Sequence, residues 1–274
     1  MSSNEQLKKR GDSVIVGSYA RYSAAMISGS GCKLYDADGN EYLDFLSGIA
    51  VCALGHSHPR VKESICEQAE KLVHVSNLYY TEPQIELAEL IVANSFGDKV
   101  FFCNSGAEAN EAAIKLARIS SEKGKYKIIS LGGSFHCRTL ATVAATGQPK
   151  FHQGFEPIPE GFLHAPFGDL GALEAMIDEA TCAILCEPLQ GEGGVRPLED
   201  SYLKGIRALC DKHGLHLIFD EIQTGMGRTG TLFAYQQLGV EPDIMTMAKA
   251  LGNGMPIGAM VTKNEIGASF VPGT

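Results

Sequence analysis

From Lys99 onward the chain alternates short, largely apolar runs with longer segments whose apolar residues recur at helical spacing. A strand buried on both faces reads as a continuous apolar run, and helices must cover both of those faces. The pattern therefore predicts strands at Lys99–Cys103, Lys127–Leu131, Ala141–Ala145, Ala183–Glu187, Leu215–Asp220, Ile244–Ala248 and Gly258–Thr262. Helices are expected at Ala107–Ile119, Gly171–Glu179 and Ser201–His213. The implied architecture is α/β, a mainly parallel seven-stranded sheet with helices on both faces. Ligands of such sheets gather beyond the carboxyl ends of the strands.

The segment before it has a different texture. Two β-prone runs flank Asp38-Gly39-Asn40, a tight-turn signal that predicts a hairpin. Helical spacing follows at Pro59–Val75 and Pro83–Asn94, each opening with a proline suited to a first turn. The expected organisation is an N-terminal arm and hairpin over residues 1–58 and a ligand-binding domain over residues 59–274. At 274 residues with 45% apolar side chains, the chain can bury a sizeable core. Its net charge of −9 argues against binding a nucleic-acid backbone, and no apolar stretch is long enough to span a bilayer. The eight cysteines are scattered without a C-x-x-C pair, and no signal-peptide pattern leads the chain, so a cytoplasmic setting is expected.

Three places at predicted carboxyl ends can carry chemistry. Asn104-Ser105-Gly106-Ala107 opens an alanine-rich helix, either an ordinary capped start or a donor cluster for a phosphate. Asp220 ends the run Leu217-Ile218-Phe219 beside Glu221, placed to face a ligand as partner of a protonated ring nitrogen, metal ligand or base, or else to cap a neighbouring element. Lys249 is the only ionisable residue between Ile244 and Val261. It either snorkels to the surface or, with its pKa lowered by apolar surroundings, serves as an amine that condenses with an aldehyde. Gly225-Met226-Gly227-Arg228-Thr229-Gly230 matches a dinucleotide fingerprint by letter, but it does not join a strand to a helix and is expected to be a loop. His56, His58, His213 and His216 have no partners that would complete a metal site, so no metal is expected.

A phosphate-binding helix start, a carboxylate for a ring nitrogen and a Schiff-base lysine together describe a pocket for pyridoxal 5′-phosphate. With NSGAEANEAAIKLAR, EPLQGEGGV, FDEIQTGMGRTG and MAKALGNGMPIGAM, the chain resembles the class III pyridoxal-phosphate aminotransferases of fold type I, from about Tyr19 to its end. The resemblance implies backbone donors at Gly106 and Ala107 for the cofactor phosphate, with Ser105 beside them. It implies Phe135 stacked on the cofactor ring, Gln223 at its phenolic oxygen, Asp220 at its nitrogen and Lys249 bonded to its aldehyde. Arg138 would hold a substrate carboxylate, and Glu192 would act as a gate opposed to an arginine. The same resemblance, strongest to members that use N-acetylornithine, implies ping-pong transfer of its δ-amine to 2-oxoglutarate, giving glutamate, in a homodimer within arginine biosynthesis.

Related donors are ornithine, succinylornithine and 4-aminobutyrate; a binding module without turnover is the other class. Two departures stand out. Cys137 occupies a position where family members usually carry glycine, and its thiol would either disturb Phe135 and Arg138 or point to solvent. The family also continues beyond the position of Thr274, into a segment reaching the partner subunit's cofactor phosphate and a small domain bearing the gate arginine.

Overall fold

The computed structural model describes all of residues 1–274. The chain divides into two compact units, Met1–Tyr79 and Tyr80–Thr274.

The first unit opens with helix α1, Ser3–Val14, begun by a capping box in which Ser2 and Glu5 satisfy each other's backbone N–H. A three-stranded antiparallel sheet follows: β1 (Met26–Ser30), β2 (Lys33–Asp36) and β3 (Glu41–Leu43). The expected hairpin is β2–β3, with Lys33 opposite Leu43. Asp36 ties its turn by accepting from the Asp38 and Asn40 amides and from the Tyr42 hydroxyl. A short bent turn α2 (Ser47–Ala50) precedes helix α3 (Pro59–Lys71), which stops before the expected Val75. Asp36 is the one buried residue of this unit, so it holds no apolar core of its own.

The second unit starts with α4 (Glu82–Ala93) and builds the seven-stranded sheet from β4 (Lys99–Cys103), β5 (Lys127–Leu131), β6 (Phe162–Ala165), β7 (Thr181–Cys186), β10 (His216–Asp220), β11 (Ile244–Met247) and β12 (Gly258–Thr262). A separate two-stranded ribbon, β8 (Leu189–Gln190) with β9 (Arg196–Pro197), frames the turn bearing Glu192. The order across the large sheet is β4-β12-β11-β10-β7-β5-β6. The pairings from β11 through β10, β7 and β5 to β6 are parallel, whereas β12 runs antiparallel to both β11 and β4.

Successive strand residues face opposite sides, which sorts the core into two layers. Ile129, Ile184, Leu217, Phe219 and Met245 pack against α8 (Asp200–His213) through its Leu203, Ile206 and Cys210. Ile128, Ala183, Leu185, Ile218 and Ile244 face α5 (Gly106–Ser120) through Ala112, Ala113, Leu116 and Ala117. The small alanines bring α5 close to the strands. Gly214 ends α8 in the left-handed region at φ 63°, the usual glycine stop.

Two expectations are corrected. Ala141–Ala145 is not a strand; it lies in helix α6, Leu140–Ala145. Thr142, Val143, Ala144 and Ala145 are all buried, so the run has no alternation to distinguish strand from helix. The seventh strand is instead the edge strand β6, whose apolar run is interrupted by His164. Helix α7 covers Leu170–Ala175 and ends short of the expected Glu179. Phe219 is fully buried in the α8 layer. Phe219→Ala is expected to destabilise the chain by about 3–5 kcal/mol in urea unfolding, through lost burial plus a residual cavity.

Candidate active site

The strand alternation that points Ile218 toward α5 also points Asp220 there, at the carboxyl end of β10. Its carboxylate is 4% exposed and is satisfied from three directions. Oδ2 accepts from Asn110 Nδ2 at 2.9 Å and meets His136 Nδ1 at 2.8 Å, while Oδ1 accepts from the Ile222 amide at 3.1 Å. Asn110 is held in turn: its Oδ1 accepts from Thr246 Oγ1 at 2.7 Å, and its second contact is to the His136 carbonyl at 3.1 Å. Helix α5, strand β11 and the loop after β5 therefore all converge on one buried acid. Glu221 turns the other way and accepts from the Ala234 and Tyr235 amides, so it anchors a loop. Of the two adjacent acids, only Asp220 faces the site.

Lys249 follows β11, next to β10 in the sheet, and is half-buried with φ 48°. Burial lowers its pKa from 10.5, against the opposing pull of Asp220, Cys137 and Glu187. A larger fraction of its amine is neutral than in water. A bulky residue in the left-handed region stores strain of a kind that collects at functional sites.

Ser105 caps α5 by accepting from the Glu108 amide at 3.2 Å, and the Glu108 carboxylate accepts from the Asn104 amide at 2.5 Å. Gly106 is required for a reason other than ligand approach, because a Cβ there would lie 2.7 Å from Ile222 Cδ1. A Cβ on Gly258, at the start of β12, would lie 2.3 Å from the Ser105 carbonyl. The helix start is thus packed against both the segment after Asp220 and the strand after the lysine loop.

Phe135 donates its amide to Glu187 Oε2 at 3.0 Å, and its ring stands edge-on to Phe151 at 5.5 Å. The exposed Arg138 guanidinium lies 5.1 Å from the Phe151 ring centre and 6.0 Å from that of Phe135. Gln223 covers Gly191, where a Cβ would meet its Oε1 at 2.2 Å. Glu192, on the ribbon turn, accepts a short hydrogen bond from Gln148 Nε2 and lies 3.8 Å from Lys150 Nζ. Asn110, His136, Thr246 and Glu187 are the site's unexpected members. Glu187 carried the same signal as Asp220, an acid ending an apolar run, and Asn110 stood out as a polar residue on the alanine-rich face of α5.

Cys137 has φ 92°, a backbone shape that favours glycine. Its thiol does not point to solvent: burial pushes its pKa up to about 12, with Asp220, Lys249 and Glu187 as electrostatic neighbours.

This is an α/β fold with an acid and an amine at the carboxyl ends of adjacent parallel strands, and similarity to known proteins agrees. The aminotransferase class-III family profile matches residues 18–274, and the chain belongs to that family. It is 51% identical over 277 aligned residues to acetylornithine aminotransferase from Myxococcus xanthus, covering 100% of this chain and 69% of that protein. It is 53% identical over 252 residues to succinylornithine transaminase from Photorhabdus laumondii, covering 90% of this chain and 63% of the relative. Among solved structures it superposes with a TM-score of 0.95, at 32% identity, on a Toxoplasma gondii ornithine aminotransferase whose active site holds pyridoxal phosphate at partial occupancy. That match covers 100% of this chain and 66% of the other. The chain spans about two thirds of the length of these relatives.

Two outcomes follow. Cys137→Gly relieves the left-handed strain and is expected to raise stability by up to about 1 kcal/mol in chemical unfolding, whereas Cys137→Ala, which keeps its Cβ, gives no gain. Lys249→Met is expected to melt above the parent at pH 7 without ligand. The depressed folded-state pKa means that the buried ammonium costs stability at low pH. That cost is relieved as pH rises through the folded value toward 10.5, so the gap between the two melting temperatures narrows.

Proposed function

We propose that this chain holds pyridoxal 5′-phosphate and works in transamination, moving the δ-amino group of N-acetylornithine to 2-oxoglutarate. The products are N-acetylglutamate 5-semialdehyde and glutamate. The observation that carries this reading is the Asp220 carboxylate, buried and clamped by His136, Asn110 and the Ile222 amide on the site wall shared with the half-buried Lys249.

The residues fit the cofactor. Oδ1 of Asp220 takes one hydrogen bond and keeps a lone pair for a ring N–H. The start of α5 presents unpaired amides and the positive end of a fifteen-residue helix to a phosphate. When bound, pyridoxal phosphate supplies an aldehyde that accepts and hands on an amine, and an electron sink beside it.

The remaining work belongs to the chain. Lys249 Nζ would be the amine that holds the aldehyde and, once displaced from it by the substrate amine, the base that carries the proton from the carbon bearing that amine to the cofactor side. Asp220 keeps the ring nitrogen protonated, and its clamp prevents it from relaxing as charge develops, which is the source of its catalytic value. Phe135 covers the ring, Gln223 donates to its phenolic oxygen, and Ser105, Gly106 and Ala107 hold the phosphate. Arg138, kept on the face of Phe151, forks onto a substrate carboxylate. Glu192 leaves its Gln148 and Lys150 contacts when the second carboxylate of 2-oxoglutarate arrives.

The working form is a homodimer. The first unit exposes Tyr22, Phe45, Val73 and Leu78 while burying no apolar residue, a composition that calls for a covering surface. The same reading sets the chain in arginine synthesis and in the cytoplasm; all eight cysteines are free, as a reducing compartment keeps them.

Titrating the chain with pyridoxal phosphate should produce a visible absorbance band that Lys249→Ala lacks. N-acetylornithine should then bleach the band at least about tenfold faster than ornithine or 4-aminobutyrate, since an amide-binding site left unpaired costs more than 1.4 kcal/mol. Faster bleaching by N-succinylornithine would reassign the donor, and a parent without the band would sink the reading.

A further inference from the structure

Strand alternation gives the α5 face of the sheet a second acid. Leu185 and Glu187 share parity on and just beyond β7, as Ile218 and Asp220 do on β10, and β7 and β10 are adjacent and parallel. Glu187 is 4% exposed, and each of its oxygens is used differently. Oε2 accepts from the Phe135 amide at 3.0 Å, and Oε1 accepts from the Gly191 amide at 3.4 Å. One carboxyl thus joins the loop after β5 to the ribbon turn that carries Glu192. The first loop also supplies His136 to Asp220, so a shift of Phe135 would be felt at the buried acid. The Gln223 side-chain amide occupies the space that a side chain on Gly191 would need.

We propose that Glu187 is a positioning residue that ties the Phe135 loop to the Glu192 turn and so sets the spacing between the cofactor-facing and substrate-facing walls of the site. The inference deepens the cofactor reading above and rests on it for the meaning of those walls. The clamp itself is a property of the bare chain. Burial raises the pKa of Glu187 to about 7, with the Asp220 charge adding to the rise and His136 opposing it. The ionisable groups around it are Asp220, His136, Cys137, Lys249 and Cys186. The carboxyl is therefore expected to take up its proton at a higher pH than an ordinary carboxylate, with its two amide contacts reporting on it.

The test compares the parent with Glu187→Gln and Glu187→Ala. In the ligand-free chain, the Phe135 and Gly191 amide resonances should move with pH around a midpoint near 7, and neither variant should show that step. Hydrogen exchange at both amides should accelerate in Glu187→Ala. Glu187→Gln should lose protection at one amide only, because a carboxamide keeps a single acceptor oxygen. Pyridoxal phosphate should bind Glu187→Ala at least about tenfold more weakly than the parent and Glu187→Gln about threefold more weakly, as loss of charge-assisted bonds implies. Unchanged protection at both amides in Glu187→Gln, or unchanged cofactor affinity in both variants, overturns the proposal. A parent with no Lys249-dependent band would defeat the cofactor reading, while the amide data would still decide the clamp. If Glu187→Ala does not fold, Glu187→Gln decides alone.

Discussion

Much of the large unit is organised around holding one carboxylate away from water. Burying an uncompensated acid costs several kcal/mol, so the fold has to bring donors to it. Asp220 receives Asn110 from α5, the His136 ring from the loop after β5 and an amide from its own turn. Those donors can arrive only if α5 lies close to the sheet, which its buried alanines allow. The composition of the helix and the placement of the acid are therefore two sides of one requirement.

The same economy of space explains the glycines and the strain. Gly106 and Gly191 are glycines because Ile222 and Gln223, both just past Asp220, occupy the room a side chain would need. Lys249 and Cys137 sit in the left-handed region although neither is glycine. For Lys249 the conformation accompanies a half-buried amine beside the acid. For Cys137 it is a cost without a visible return, since burial keeps the thiol protonated and therefore a poor nucleophile.

The central strands were legible because complete burial leaves an unbroken apolar signature. Leu215–Asp220 was expected and His216–Asp220 was found, and Gly258–Thr262 was found as expected. Legibility failed where burial is uniform or partial. Ala141–Ala145 is apolar but for Thr142 and equally suited to a strand, and β6 was hidden by its histidine. Helix α1 carried a capping-box pattern but buries nothing, so no amphipathic stripe announced it. Lys249 was visible as a charge isolated in apolar sequence, and Asp220 as an acid ending an apolar run. His136 is different, since its meaning depends on the loop after β5 reaching the end of β10, a contact between positions far apart in the chain. Glu187 was passed over although its run matched that of Asp220; alternation along a strand becomes decisive only once the faces are assigned to helices.

The reversal at β12 has a dynamic consequence. A parallel successor to β11 would need a crossover of a dozen residues or more, which would uncouple the lysine from whatever followed it. Here the chain turns back through residues 248–257, and Gly258 arrives against the Ser105 carbonyl. The segment that carries the amine thereby leads directly into the strand residue packed on the helix start. Thermal opening of the 249–257 loop would loosen both together, as one cooperative element.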